Sequence, residues 1–175
     1  MVEYHDEEWG TPTHDDHLLF ELLTLEGAQA GLSWSIILRK REGYRRAFAN
    51  FDPSVVARLS ERDVDALVLD ASIVRHRGKI TSTVNNAARV LEVRGEFGTF
   101  DAFVWSFVDD TPIVHTFGEL GQLPTETPES RALARALKQR GFRFVGPTTV
   151  YAFMQAAGLV NDHVVGCFRH AGRHV

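Results

Sequence analysis

The chain has 175 residues, is 44% apolar and 24% charged, and carries a net charge of −4, values ordinary for one soluble globular domain, with room for two lobes sharing a core. No stretch approaches the roughly 18 consecutive apolar residues of a membrane span, and the acidic opening MVEYHDEEWG is no signal peptide. One cysteine, Cys167, excludes an intramolecular disulfide and fits a reducing compartment, so a cytoplasmic protein with no membrane partner is expected.

Tyr4 to Gly10 has no clean period, and Pro12-Thr13 reads as a turn. Asp15 or Asp16 caps a helix from about His17, with Leu18, Leu19, Leu22, Leu23 and Leu25 at core spacing. Leu25 to Trp34, LEGAQAGLSW, places the acid Glu26 among small residues and follows it with Gly31, Leu32 and Trp34. A flat ligand can approach such an acid closely, and the indole can stack on it, so this stretch reads as one wall of a pocket for a planar base. A surface or capping acid and core aromatics are the plainer alternatives.

A helix is expected from about Ser33 to Ala49, with Ile36, Ile37, Tyr44 and Phe48 inward and its basic residues outward. Asp52 caps a short helix after Pro53, and Ser60 to Asp63 reads as a capping box. Arg75 to Gly78 breaks the pattern, a long helix covers Ile80 to Val93, and Gly95 and Gly98 end it. Phe100 to Val108 is expected as a buried helix and Asp109 to Pro128 as a surface loop. A helix then runs from Pro128 to Gln139. Without βαβ alternation the fold class is all-α.

Arg140 to Thr149, RGFRFVGPTT, is a glycine-bounded loop between two helices, with Phe142, Phe144 and Val145 expected inward. Such a loop presents backbone N–H groups to a phosphate at a helix N-terminus, which makes Gly141, Arg143, Gly146 and Thr148 candidate DNA contacts. The segment, about 129–158, resembles a helix-hairpin-helix element; a plain αα-hairpin is the alternative. Basic residues cluster at Arg39 to Arg46, at Arg75 to Lys79, and at Lys138, Arg140 and Arg143, and sixteen Arg against three Lys favour phosphate geometry. Near the C-terminus, His163 and Cys167 would share one face of a helix and could bind Zn²⁺, with His5 as a third ligand if the N-terminus folds back. His170, His174, a carboxylate or water could fill the fourth position. A buried cysteine beside a capping histidine is the plainer reading.

YHDEEWG (4–10), LEGAQAGLSW (25–34), RHRGKI (75–80), DAFVWSFV (101–108), KQRGFRFVG (138–146) and FMQAAGLVNDHVVGC (153–167) together resemble the DNA-3-methyladenine glycosylase I family, in order and over nearly the whole chain. The resemblance implies a helix-hairpin-helix glycosylase domain over 1–175, with a small zinc-stabilised lobe formed by about 1–16 and 159–175. The implied reaction is release of 3-methyladenine from alkylated double-stranded DNA by base flipping, leaving an abasic site. On matching positions, Glu26 and Tyr4 would bind the base, Trp34 would stack on it, and Gly31 and Leu32 would probe the gap in the duplex. His5, His163 and Cys167 would hold a structural zinc. The family carries a further zinc cysteine and an aromatic ahead of this motif; the sequence in hand supplies neither.

Glu26 is the candidate catalytic group, with base recognition as its main role and water activation as an added one. Asp162, 16 residues after Gly146, ranks below it. Of the three lysines, Lys40, Lys79 and Lys138, none follows Gly141, so a monofunctional, water-using enzyme is expected, acting as a monomer. A non-enzymatic DNA-binding module and a zinc hydrolase on His5, His163 and Cys167 are the rival classes.

Overall fold

The helix that carries Glu26 is the axis of the structure, which is a computed structural model describing residues 1–170. This helix, α1, spans Asp16–Gln29, and the Asp15 side chain caps it by accepting the Leu18 N–H at 2.7 Å. Every residue from Leu19 to Ala28 is buried. A helix enclosed on all sides must neutralise or exempt its polar side chains, and α1 carries two acids there, Glu21 and Glu26.

Helix α2 (Trp34–Ala47) answers the first of them. Arg41 and Arg45 both reach Glu21, and Arg41 continues to Glu8 with bonds of 2.6 and 2.7 Å. Arg41 therefore departs from the outward orientation expected of this helix's basic residues, keeping only 11% side-chain exposure, because the buried acid needs a counter-charge.

Helices α3 (Pro53–Val56) and α4 (Glu61–Leu69) begin at Asp52 and at the Ser60–Asp63 capping box, as expected. Helix α5 (Arg77–Phe97) starts ahead of Ile80 because the His76 ring caps it, accepting the Lys79 N–H at 3.2 Å. Gly95 lies within it, and Gly98, at φ 89°, ends it. Helix α6 (Phe100–Trp105) is buried, and its first N–H groups, of Phe100 and Asp101, donate to Asp16.

The 109–128 segment is more than a surface loop. Ile113–Val114 (β1) pairs in parallel with Val160–Asn161 (β2), Ile113 opposite Val160. Two residues per strand give no periodicity to read, and the all-α class stands.

The hairpin joins α7 (Pro128–Gln139) to α8 (Pro147–Ala156). Gly141 takes φ 84°, and the Asn86 side chain of α5 clamps the loop by exchanging two 2.9 Å bonds with the Arg143 backbone. Phe142 and Val145 are buried as expected. Phe144 is not: at φ 57° it turns outward, 39% exposed, and lies across α1 at Gly27, where an added Cβ would meet its own at 3.3 Å.

The N-terminal segment returns to this pair of helices. Gly10 and Thr13 donate to the Gln155 and Ala157 carbonyls at 3.0 and 3.1 Å. Gly158, at φ 74°, makes that approach possible, since a Cβ there would sit 2.3 Å from the Pro12 nitrogen. Gly158→Ala is expected to lower stability by about 1–3 kcal/mol, read as a lower Tm in thermal unfolding, with no such change for Ala at Gly95, where an added Cβ meets nothing within 4 Å.

Candidate active site

A cavity of about 330 Å³ opens between the N-terminal segment, α1, the start of α2 and α8, within the range of small-molecule pockets. Glu26 enters from α1, Trp34 from the first residue of α2, Tyr4 from a π-helical turn at Tyr4–Glu8, and Gln155 from α8. The Tyr4 and Trp34 rings lie 5.5 Å apart at 51°. The Glu26–Trp34–Tyr4 group expected from the sequence is thus assembled around one space.

Glu26 is 7% exposed, and among the described residues no group hydrogen-bonds its carboxyl. Burial alone pushes its pKa up to about 8. The Tyr4 hydroxyl is buried and unpartnered; burial first, then the charges of Glu26 and Glu8, pushes it up, so it keeps its proton as a donor. A carboxyl without an internal partner therefore faces a cavity of ligand size that the Tyr4 and Trp34 rings also line.

Gly31 and Leu32 lie at the mouth. A shallow groove lined by Gly31, Leu32, Thr148 and Thr149 meets the cavity at Glu26, Gln29 and Ala152, which line both. Gly31 takes φ 79°, and Leu32 is 36% exposed. The Lys79 ammonium holds this turn by donating to the Ala28 and Ala30 carbonyls at 2.8 and 2.6 Å, capping the end of α1. Thr148 and Thr149 fall in the first turn of α8, where backbone N–H groups precede the first intrahelical bond, Val150 to Gly146 at 2.8 Å. Gly146 begins that turn as the residue before Pro147. Gly141 and Arg143 are exposed on the same hairpin, but the Arg143 N–H is taken by Asn86 and the Gly141 N–H by Lys138, so neither backbone donor is open to a phosphate.

His5, His163 and Cys167 converge at the back of the cavity, their ligand atoms all within 4.8 Å of one another. They do so without sharing a helix face: β2 ends at Asn161 and turns carry Cys167 round. The group fits zinc on three counts. Cys167 Sγ and His5 Nε2 are 3.6 Å apart, about the separation of two tetrahedral ligands at 2.3 and 2.1 Å. His5 Nδ1 contacts Asp6 at 2.7 Å, the usual second partner of a ligating imidazole. Both His163 ring nitrogens are buried without partners, and burial, then His5, Arg169 and His170, lowers its pKa to about 4, keeping the ring neutral. His170 lies nearby in sequence; His174 is outside the described residues.

Sequence reasoning missed three participants and gave a fourth another role. Trp9 stacks on His163, centroids 4.6 Å apart at 3°. Lys79 and Asn86 act through backbone carbonyls and amides, which no motif announces. Asp162, read as a possible second acid, is instead a buried hub that accepts from Tyr151, Gln155 and His115.

An all-helical frame, a hairpin at the mouth of a purine-sized cavity and a buried acid facing aromatic rings define the helix-hairpin-helix DNA glycosylase architecture. A model described as methyladenine glycosylase matches residues 1–170, and the chain belongs to that family. It is 53% identical over 171 residues to DNA-3-methyladenine glycosylase 1 of Escherichia coli, covering 98% of this chain and 91% of that protein. It is 48% identical over 166 residues to the Haemophilus influenzae DNA-3-methyladenine glycosylase, covering 95% and 90%. The structure of 3-methyladenine DNA glycosylase I from Staphylococcus aureus, which concerns 3-methyladenine recognition, matches with a TM-score of 0.95 at 39% identity, covering 99% of this chain and 92% of that one.

The Glu26 shift has a sign that can be tested. Its folded pKa lies above the unfolded value near 4.5, so the acid favours folding most below that value and progressively less as pH rises through about 8. Glu26→Gln is expected to raise Tm relative to the parent, by little at pH 4.5 and increasingly up to pH 8, an effect on the order of a few kcal/mol.

Proposed function

We propose that the protein excises 3-methyladenine from alkylated double-stranded DNA by hydrolysing its N-glycosidic bond. The carrying observation is Glu26, a buried carboxyl with no internal partner on the wall of a base-sized cavity. A normal base gives such a group little; a cationic purine supplies the missing counter-charge. The named activities of the E. coli and H. influenzae relatives, and the 3-methyladenine recognised by the S. aureus protein, support the same reading.

A base stacked in a duplex is out of reach of such a cavity, so the nucleotide flips out to enter it. Leu32 on the Lys79-held turn probes the space left behind, and the first turn of α8 with Gly146 and Thr148 grips the backbone, joined by the Arg143 side chain. Trp34 offers its π face to the positive ring, a contact of order 0.5–2 kcal/mol. Glu26, ionised by the arriving cation, accepts from the amino edge, while Tyr4 donates to a ring nitrogen. The bond from the purine N9 to C1′ breaks with its electrons passing to the ring, which leaves as neutral 3-methyladenine. Water adds to C1′ and its proton passes to solvent. Lys79, on the turn at the cavity mouth, is engaged by two carbonyls, so its amine is not free for a Schiff base, which fits a monofunctional enzyme.

His5, His163 and Cys167 would hold a structural zinc, whose positive charge would bind the N-terminal segment to the C-terminal one. We place the protein in the cytoplasm as a monomer.

Base release from methylated DNA tests the function. Glu26→Gln and Trp34→Ala are each expected to lower 3-methyladenine release roughly 10–100-fold while retaining cooperative unfolding; DNA binding by the parent without release would leave only a binding module. Metal analysis of protein purified without chelators is expected to find one zinc per chain. Chelation or His163→Ala should lower Tm more than it lowers turnover at a temperature where the protein stays folded; turnover lost at once on chelation would instead mark a zinc hydrolase.

A further inference from the structure

The cavity has a second acceptor that no motif singled out. Gln155 of α8 lines it together with Glu26. Its side-chain Nε2 donates to Asp162 Oδ2 at 2.7 Å. Asp162 is 1% exposed and is itself fixed, by the Tyr151 hydroxyl and by His115 Nδ1 at 2.6 Å. A carboxylate accepts and does not donate, so it selects one of the two amide orientations, with the NH₂ end towards Asp162 and the oxygen away from it. Among the described residues that oxygen has no hydrogen-bond partner, and it is not among the sealed, unpartnered atoms. It is therefore an accessible acceptor on a residue that lines the cavity.

We propose that Gln155 is a specificity-determining residue whose amide oxygen, oriented by Asp162, selects a 6-aminopurine over a 6-oxopurine; the proposal rests on the glycosylase reading above. In an N3-methylated adenine nucleotide the 6-amino group carries the only N–H donors, and it has two. The cavity offers two acceptors, the Glu26 carboxylate and the Gln155 oxygen. A 6-oxopurine presents a carbonyl at that edge, so an acceptor faces an acceptor and both are left unpaired. Such a mismatch in a desolvated site is costly, whereas a freely rotating glutamine could turn its NH₂ towards the carbonyl. Asp162 and, behind it, Tyr151 and His115 act as positioning residues by forbidding that turn.

The test compares release of 3-methyladenine and 3-methylguanine from methylated DNA by the parent, Gln155→Met and Gln155→Ala. Both substitutions suit a helix and leave the backbone carbonyl that Gly10 uses. The ratio of the two rates is expected to fall about tenfold, through loss of adenine release rather than through general damage. An unchanged ratio, or an equal loss of both activities, overturns the inference while leaving the glycosylase reading intact. A parent that releases neither base sinks the glycosylase reading alone; titration of the full-length proteins with free 3-methyladenine and 3-methylguanine then decides, with a preference for the former that the Gln155 variants lose supporting the assignment and an equal affinity overturning it.

Discussion

A single uncompensated carboxyl inside a packed helix is the constraint around which this molecule is arranged. Helix α1 buries two acids five residues apart, and it treats them in opposite ways. Glu21 is met by two guanidinium groups, one of which, Arg41, also ties down the N-terminal segment through Glu8. Glu26 is met by no hydrogen-bond or charge partner among the described residues and so stays largely protonated near neutrality. The fold thus holds an open electrostatic valence. Entry of a cation lowers the carboxyl's pKa, so binding is coupled to release of a proton, and discrimination follows from charge before any contact specific to adenine is made. A neutral base does not ionise Glu26 and gains only a hydrogen bond from it.

Helix α8 serves both sides of the recognition problem. Its first turn, at Thr148 and Thr149, faces the groove where a backbone phosphate would lie, and Ala152 and Gln155, further along, line the base cavity. A rigid rod between the two sets the distance over which a nucleotide must swing out of the duplex. The Asn86 clamp on Arg143 and the Lys79 clamp on Ala28 and Ala30 hold the two loops on either side of that path. Both clamps come from α5, so one helix sets the width of the entrance.

The helices were legible in the sequence because their signals are local: Asp15, Asp52 and Ser60 cap where they should, and the leucines of α1 repeat at helical spacing. Glu26, Trp34, Tyr4, His5, His163 and Cys167 were named from motif and resemblance, and the structure brings them together. What was not legible depends on partners distant in sequence. Arg41 turns inward only because Glu21 is buried, Phe144 turns outward only because its backbone takes a positive φ over Gly27, and β1 exists only because β2 lies beside it. The 161–167 segment, where a helix would have set His163 and Cys167 on one face, is non-helical for the same reason, since Asn161 pairs with β1 and the Val165 N–H donates to the Phe117 carbonyl. The role of Asp162 as a hub was invisible because Tyr151, Gln155 and His115 reach it from two separate segments.

The return of the N-terminal segment onto the C-terminal one bears on how the protein is made. Tyr4 and His5 leave the ribosome ahead of the helical frame, yet their neighbours in the finished molecule include His163 and Cys167, which follow it in the chain. Contacts spanning most of a chain form late. The helical frame can assemble while synthesis continues, but the recess for the damaged base stays unwalled on one side until translation has passed Cys167, so an incomplete nascent chain has no finished recess with which to hold a base.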